Sequence, residues 1–140
     1  MDFQPLDRRF SFQGVEAIDT DVLETFEYQY PSRRITVEIT TTEFTAVCPY
    51  SGLPDFGTLR LSYIPDKRCV ELRSLKYYLH SFRQVGIFYE HLVNRVLEDL
   101  VRICDPFEMT VIAEYNVRGG LATRAVSTWK RDENNQKAEG

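Results

Sequence analysis

The chain has 140 residues, 17 of them Lys or Arg and 21 Asp or Glu, for a net charge of −4, and 43% are hydrophobic. That length fits one domain burying about two-thirds of its unfolded surface, and the acidic balance argues against a protein whose main work is gripping phosphate backbones. No apolar run approaches the roughly 18 residues of a membrane span, and Met1-Asp2-Phe3-Gln4-Pro5 lacks the basic and apolar regions of an export signal, so a cytoplasmic protein acting on a small molecule is expected.

Residues 1–21 mix aromatics with charges, carry no sustained period and are set apart as an N-terminal arm. The stretch 22–30 is compatible with a strand. Pro31-Ser32-Arg33-Arg34 turns it into a second strand over 35–46, where Ile35, Val37 and Ile39 alternate with polar residues, and the two are expected to form a first hairpin or its equivalent. In the following strand, through residue 64, Leu59, Leu61 and Tyr63 alternate with Arg60 and Ser62. Pro65-Asp66-Lys67 turns the chain into a short extended piece at 69–71. Leu75, Tyr78, Leu79 and Phe82 then predict a helix over 74–82, interrupted at Gly86.

A second helix is predicted from Leu92, Val93, Val96, Leu97, Leu100 and Val101, with Arg95, Glu98, Asp99 and Arg102 on the opposite, polar face and Pro106 closing it. Strands around 109–114 and 121–129 flank the turn Arg118-Gly119-Gly120, and 131–140 reads as a flexible polar tail. The domain therefore spans 22–130. Strands, two helices and strands again give an α+β domain, with both helices on one face of an antiparallel sheet.

Chemistry concentrates between the second and third strands, where Cys48 ends one strand and Asp55 opens the next. Pro49 biases Cys48 towards an extended backbone, while Ser51-Gly52 and Pro54 supply a turn that brings thiol and carboxyl into one pocket. A thiol and a carboxyl so placed suit a nucleophile and an acid; the plainer alternative is a buried thiol and a turn aspartate. Cys48, Cys69 and Cys104 are odd in number and widely spaced, fitting neither a disulfide framework nor a zinc site. Cys69 and Cys104 are read as structural, and His80 and His91 as ordinary surface or interface residues.

Seven segments follow one another along the chain: Leu23-Glu24-Thr25-Phe26-Glu27; Phe44-Thr45 leading to Cys48-Pro49 and Gly52-Leu53-Pro54-Asp55-Phe56; Ser62-Tyr63-Ile64-Pro65; Glu71-Leu72-Arg73-Ser74-Leu75-Lys76-Tyr77-Tyr78; Ser81-Phe82-Arg83; Phe88-Tyr89-Glu90; and Arg118-Gly119-Gly120. In these motifs and their order the chain closely resembles the 7-cyano-7-deazaguanine reductases, nitrile reductases of queuosine biosynthesis in tRNA modification, in their short single-module form. The resemblance covers about three-quarters of the chain. It implies the tunnelling fold (T-fold), whose small subunits assemble into barrels with active sites between neighbours. A homo-oligomer of five-membered rings, single or paired as a decamer, is therefore expected, without direct nucleic-acid contact.

The resemblance also implies NADPH-dependent reduction of the nitrile to an aminomethyl group by two successive hydride transfers. Cys48 adds to the nitrile carbon to give a thioimide, Asp55 protonates the nitrogen, and Glu90 accepts the adjacent N–H donors of the base. Val70, Glu71, Leu72 and Tyr89 are expected to line the base pocket. The usual residue at position 89 is His; tyrosine does not become a cation, which puts a proton-relay role there in doubt, and His91 points about 200° away along a helix.

The cofactor signature runs through 71–78 with Arg73 in place of the first Lys. Arg73 and Lys76, one turn apart near a helix N-terminus, are expected to bind cofactor phosphates. No Gly-x-Gly-x-x-Gly fingerprint occurs, so NADPH rests on the resemblance. The rival reading is an archaeosine-type amidinotransferase, which keeps the Cys and Asp but adds ammonia to a nitrile base within tRNA. A non-enzymatic ring-forming relative would leave Cys48 with Asp55 unexplained.

Overall fold

The computed structural model describes residues 10–131; what was expected of 1–9 and 132–140 lies outside the described residues. In chain order the elements are β1 (Thr25–Glu27), β2 (Val37–Val47), β3 (Pro54–Ile64), β4 (Arg68–Val70), α1 (Leu72–His80), α2 (Tyr89–Cys104), β5 (Glu108–Tyr115) and β6 (Arg124–Lys130). Four strands form one antiparallel sheet in the order β2-β3-β5-β6.

Strand β3 shows why the sheet has one core face. Its buried residues are Asp55, Gly57, Leu59, Leu61 and Tyr63, alternating with more exposed ones, the period-2 pattern of a half-covered strand. Met109, Val111 and Ala113 do the same on β5, and Leu75 and Tyr78 of α1 join Leu92, Val93, Val96, Leu97 and Leu100 of α2 in the same core. Fully burying each such Leu or Val stabilises the fold by about 1.5–3 kcal/mol. Helix α2 stops where Asp105 turns left-handed (φ 46°), just before Pro106.

The alternation of β2 is not continuous. Thr41 pairs with Leu59 but Phe44 pairs with Gly57, so one extra residue is accommodated between them. Beyond this β-bulge the inward positions change from odd to even: Phe44 and Ala46 are buried, and Ala46 lies opposite Asp55. Val47, also buried, ends the strand, and Cys48 follows it into the loop.

Two expectations are corrected. The first strand does not form a hairpin with the second: β1 pairs antiparallel with β4, Phe26 opposite Cys69, in a separate two-stranded sheet. Asp99 does not lie on a solvated face either. It is 3% exposed and accepts hydrogen bonds from Tyr78 Oη (2.6 Å) and Arg95 Nε (2.9 Å), tying α1 to α2. A buried carboxylate persists only when partnered in this way.

Gly57 has no room for a side chain. A Cβ there would press on the carbonyl oxygen of Glu114 and come within 2.8 Å of Tyr89 Cε2. The backbone neighbour has no room to move, so Gly57→Ala is expected to lower unfolding free energy by about 1–3 kcal/mol. Denaturant titration of the two proteins checks this; equal midpoints would show that Tyr89 and β5 yield freely.

Candidate functional site

The loop between β2 and β3 is closed by its own backbone. Cys48 N–H donates to Leu53 O (2.9 Å), Gly52 N–H donates to Cys48 O (2.8 Å), and the return requires a left-handed Gly52 at φ 75°. Residues 84–87 run alongside: Val47 N–H donates to Val85 O and Ile87 N–H to Val47 O. On the other side of that segment, Gln13 N–H donates to Gln84 O and Gly86 N–H to Gln13 O. Phe12 lies on Gly86 where a side chain would otherwise be, and Phe10 O lies 2.5 Å from where a Gly52 Cβ would sit. Residues 10–13 thus lie against the Cys48 loop, and Ile18 reaches the core.

Asp55 is 2% exposed, with Thr45 Oγ1 donating to its carbonyl (2.9 Å). Its carboxylate meets one cation. Arg118 Nη2 lies 2.5 Å from Asp55 Oδ1 while donating to Pro54 O at 2.9 Å. Oδ1 has no aligned hydrogen-bond donor, so charge attraction dominates that contact. Burial raises the Asp55 pKa, and the Arg118 charge and contact pull it back; the balance is upward.

Tyr89 begins α2 and is 1% exposed. Its ring stacks on Tyr115 at 4.0 Å between centroids and meets Phe44 edge-on at 5.8 Å, while its hydroxyl donates to Asp55 O at 3.3 Å. Helix α2 has no side-chain cap of its own at Phe88. Tyr115 supplies a partner from the sheet: its oxygen accepts from Tyr89 N–H (2.8 Å) and its hydroxyl lies 3.5 Å from Glu90 Oε1. Burial pushes the Tyr115 pKa up, and the charges of Glu90, Asp55 and Cys48 add to the rise while the Tyr89 N–H opposes it. Tyr115 therefore stands among Cys48, Asp55 and Glu90.

The remaining expected residues lie around α1. Val70 is buried, its N–H donating to Tyr63 Oη at 2.9 Å, and Leu72 is exposed. Glu71 caps α1, accepting from Arg73 N–H (3.0 Å) and Ser74 N–H (2.6 Å). These bonds hold its pKa down, the Ser74 bond most. The backbone donors that sequence reasoning offered to an anion are thus taken by Glu71, leaving Arg73 and Lys76 as exposed side-chain cations. Lys76 borders a groove of about 460 Å³, floored by Phe44, Phe56, Leu72, Leu75 and Leu79 and rimmed also by Arg83. Among the described residues no hydrogen bond or ion pair joins Glu71, Arg73 or Lys76 to Cys48 or Asp55.

A family profile described as QueF-like protein matches residues 54–135, and relatives half identical in sequence align along nearly the whole chain. The chain belongs to the QueF-like family. A protein of Caldanaerobacter subterraneus subsp. tengcongensis named NADPH-dependent 7-cyano-7-deazaguanine reductase is 50% identical, over 91% of this chain and 95% of its own. Proteins of the same name from Thermoanaerobacter pseudethanolicus and Chloroherpeton thalassium are 51% and 54% identical, over 90% and 80% of this chain. The crystal structure of the archaeosine synthase QueF-Like in the apo form superposes with a TM-score of 0.63, covering 66% of this chain and 91% of that one. At 24% identity it speaks for the fold alone.

Within this QueF-like chain, Asp55, Tyr89 and Glu90 lie around Tyr115 and Arg118, Lys76 and Arg83 line the groove beside α1, with Glu43 on the same rim, and Arg73 is exposed and does not line it. Two residues of the cluster went unassigned from sequence. Arg118 stood in a quoted motif without a role, and Tyr115 read as one more strand residue, because neither the end of β5 nor the turn after it is near Asp55 in sequence. No group of three or more His, Cys, Asp or Glu able to hold a metal occurs among the described residues, and Cys48, Cys69 and Cys104 are free thiols.

Proposed function

We propose that this chain catalyses the NADPH-dependent reduction of the nitrile of 7-cyano-7-deazaguanine to the 7-aminomethyl base. The observation that supports this most strongly is the β2–β3 end itself, where a half-buried Cys48 and a buried Asp55 both lie within electrostatic reach of Tyr115. A nitrile carbon resists direct hydride attack, and a thiol that adds first turns it into a thioimide open to reduction. Cys48 supplies the sulfur. Asp55, its proton affinity raised by burial, supplies the proton to the nitrogen. Glu90 presents carboxylate acceptors to the donor edge of the base, with Tyr115 beside it, and Tyr89 packs beneath. Val70, Glu71 and Leu72 line the base, Glu71 by way of a carboxylate that also caps α1.

The groove beside α1 fits a dinucleotide: an apolar floor for a ring and cations at the rim for phosphates. NADPH, when bound, supplies the hydride. Arg73 and Lys76 hold its phosphates, the guanidinium fork of Arg73 offering two donors where an amine offers a point charge. Arg73→Ala or Lys76→Ala is expected to raise the NADPH concentration for half-maximal rate on the order of 10- to 100-fold. Adduct formation with the nitrile alone should be unaffected, as stopped-flow runs with and without NADPH would show; equal loss in both assays would remove the cations from the cofactor.

The separation of the α1 groups from Cys48 within one subunit supports a site completed by a neighbour, and the long edge strands β2 and β6 support barrels closed by edge pairing in five-membered rings. A cytoplasmic place accords with three free thiols; among the described residues no helix is long and apolar enough to cross a membrane. The deciding experiment follows NADPH oxidation at 340 nm with free 7-cyano-7-deazaguanine. Turnover to the aminomethyl base supports the reductase, and its absence with ammonia incorporation into nitrile-bearing tRNA would support the amidinotransferase.

A further inference from the structure

Three basic side chains follow the groove beside α1 at helical spacing: Lys76, His80 one turn on, and Arg83 just past the end of the helix. Arg83 lies seven positions after Lys76, about 10 Å of helical rise. A second hollow of about 380 Å³, bordered by Gln13, Ser81 and Gln84, shares both His80 and Arg83 with the groove. Arg83 therefore stands where an apolar cleft meets a polar one, in a motif that the sequence left without a role.

Local bonding leaves that end of α1 open to an anion. The last four carbonyls of the helix, those of Tyr77, Tyr78, Leu79 and His80, accept from the N–H groups of residues 81–83, and Ser81 Oγ also donates to Tyr78 O at 2.6 Å. The acceptors that would repel an anion at a helix C-terminus are thus engaged. Among the described residues neither Lys76 nor Arg83 is held in an ion pair, and Glu43, the acidic residue on the same rim, is joined to neither.

NADPH carries two separate anionic groups, a diphosphate between its nucleosides and a phosphate monoester on the 2′-oxygen of its adenosine ribose, whereas NADH carries only the first. Two cation positions set well apart along one groove match the molecule with two. We propose that Arg83, with His80 beside it, binds the 2′-phosphate and sets the preference of this chain for NADPH over NADH, while Arg73 and Lys76 take the diphosphate. A guanidinium suits the monoester because its fork donates two parallel N–H bonds to phosphate oxygens. Glu43 is the competing partner, since a carboxylate accepts from the bare 2′-hydroxyl of NADH. The inference rests on the reductase reading, which puts a nicotinamide dinucleotide in this groove.

The test measures binding, not turnover: calorimetric titration of NADP⁺ and of NAD⁺ into the parent, Arg83→Gln and Arg83→Lys, with and without 7-cyano-7-deazaguanine. The parent should bind NADP⁺ the more tightly. Arg83→Gln should weaken NADP⁺ on the order of 10- to 100-fold while NAD⁺ binding stays where it was, and Arg83→Lys should recover part of the loss. In 31P spectra of NADP⁺ at saturating protein, the monoester signal should shift with the parent and not with Arg83→Gln, the diphosphate signals shifting with both. Melting should match the parent's, because an exposed side chain outside any ion pair adds little to the fold. Equal weakening of NADP⁺ and NAD⁺ would overturn the proposal by moving Arg83 to the diphosphate they share, and so would an NADP⁺ preference that survives Arg83→Gln; in both cases the parent still binds NADP⁺ and the cofactor reading stands. A parent that binds neither nucleotide would overturn that reading and the role of Arg83 with it.

Discussion

Cys48→Ala is expected to abolish covalent capture of 7-cyano-7-deazaguanine altogether. In the parent protein, mixed with the nitrile in the absence of NADPH, the reaction should halt at the thioimide, seen by intact mass as a gain of the whole substrate because addition expels no leaving group. Peptide mapping should place that mass on Cys48. Cys69 and Cys104 offer no substitute, being buried with pKa values raised by burial, Cys104 to about 12, and a protonated thiol is a poor nucleophile. An adduct that survives Cys48→Ala, or maps to either buried thiol, would remove the thioimide from the mechanism. Loss of fold is controlled for by the melting curve, since trading a half-buried thiol for a methyl group costs little packing.

The second large effect belongs to Asp55→Asn. The thiol remains, and alkylation by iodoacetamide should still reach it, but the acid that serves the nitrile nitrogen is gone. Adduct formation should slow by about 10²–10⁴-fold, the usual worth of a positioned general acid. Stopped-flow absorbance on a substrate series gives the rate directly. A fall of less than tenfold would mean that water or Tyr89 delivers the proton, and the hydroxyl of Tyr89, which reaches the Asp55 carbonyl and not its carboxylate, would then be the next residue to change.

Local pattern carried much of the fold. The alternation of Leu59, Leu61 and Tyr63 gave β3 with its correct buried face, and the spacing of Leu92, Val93, Val96, Leu97 and Leu100 gave α2, because both signals come from one side of one element. What failed depended on partners far along the chain. Residues 22–30 have strand character in isolation, but whether they pair with the next strand or with Arg68–Val70 is settled by where the chain is later brought back. Asp99 looked solvated because a buried carboxylate is legible only together with Tyr78, which lies on another helix.

The site divided along the same line. Cys48 and Asp55 stood out as candidates because one stretch of eight residues holds both, and Arg73 with Lys76 because one turn of helix does. Arg118 and Tyr115 were not, because their link to Asp55 exists only once β5 has paired with β3. Glu71 was expected as a contact to the base, and its bonds to its own helix were not anticipated, since an N-cap and a ligand contact call for the same residue type.

The extra residue in β2 between Thr41 and Phe44 makes the facing of the strand's far end a matter of counting. Side chains alternate, so the number of residues from the Thr41–Leu59 pair to Ala46 decides, by being odd or even, which side of the sheet Phe44 and Ala46 occupy. Thr42 and Glu43 could be exchanged for other strand residues without moving them. Losing or gaining a single residue in that stretch, whatever its chemistry, would turn Phe44 and Ala46 off the core face that Asp55 shares and shift the start of the loop that carries Cys48 by one position.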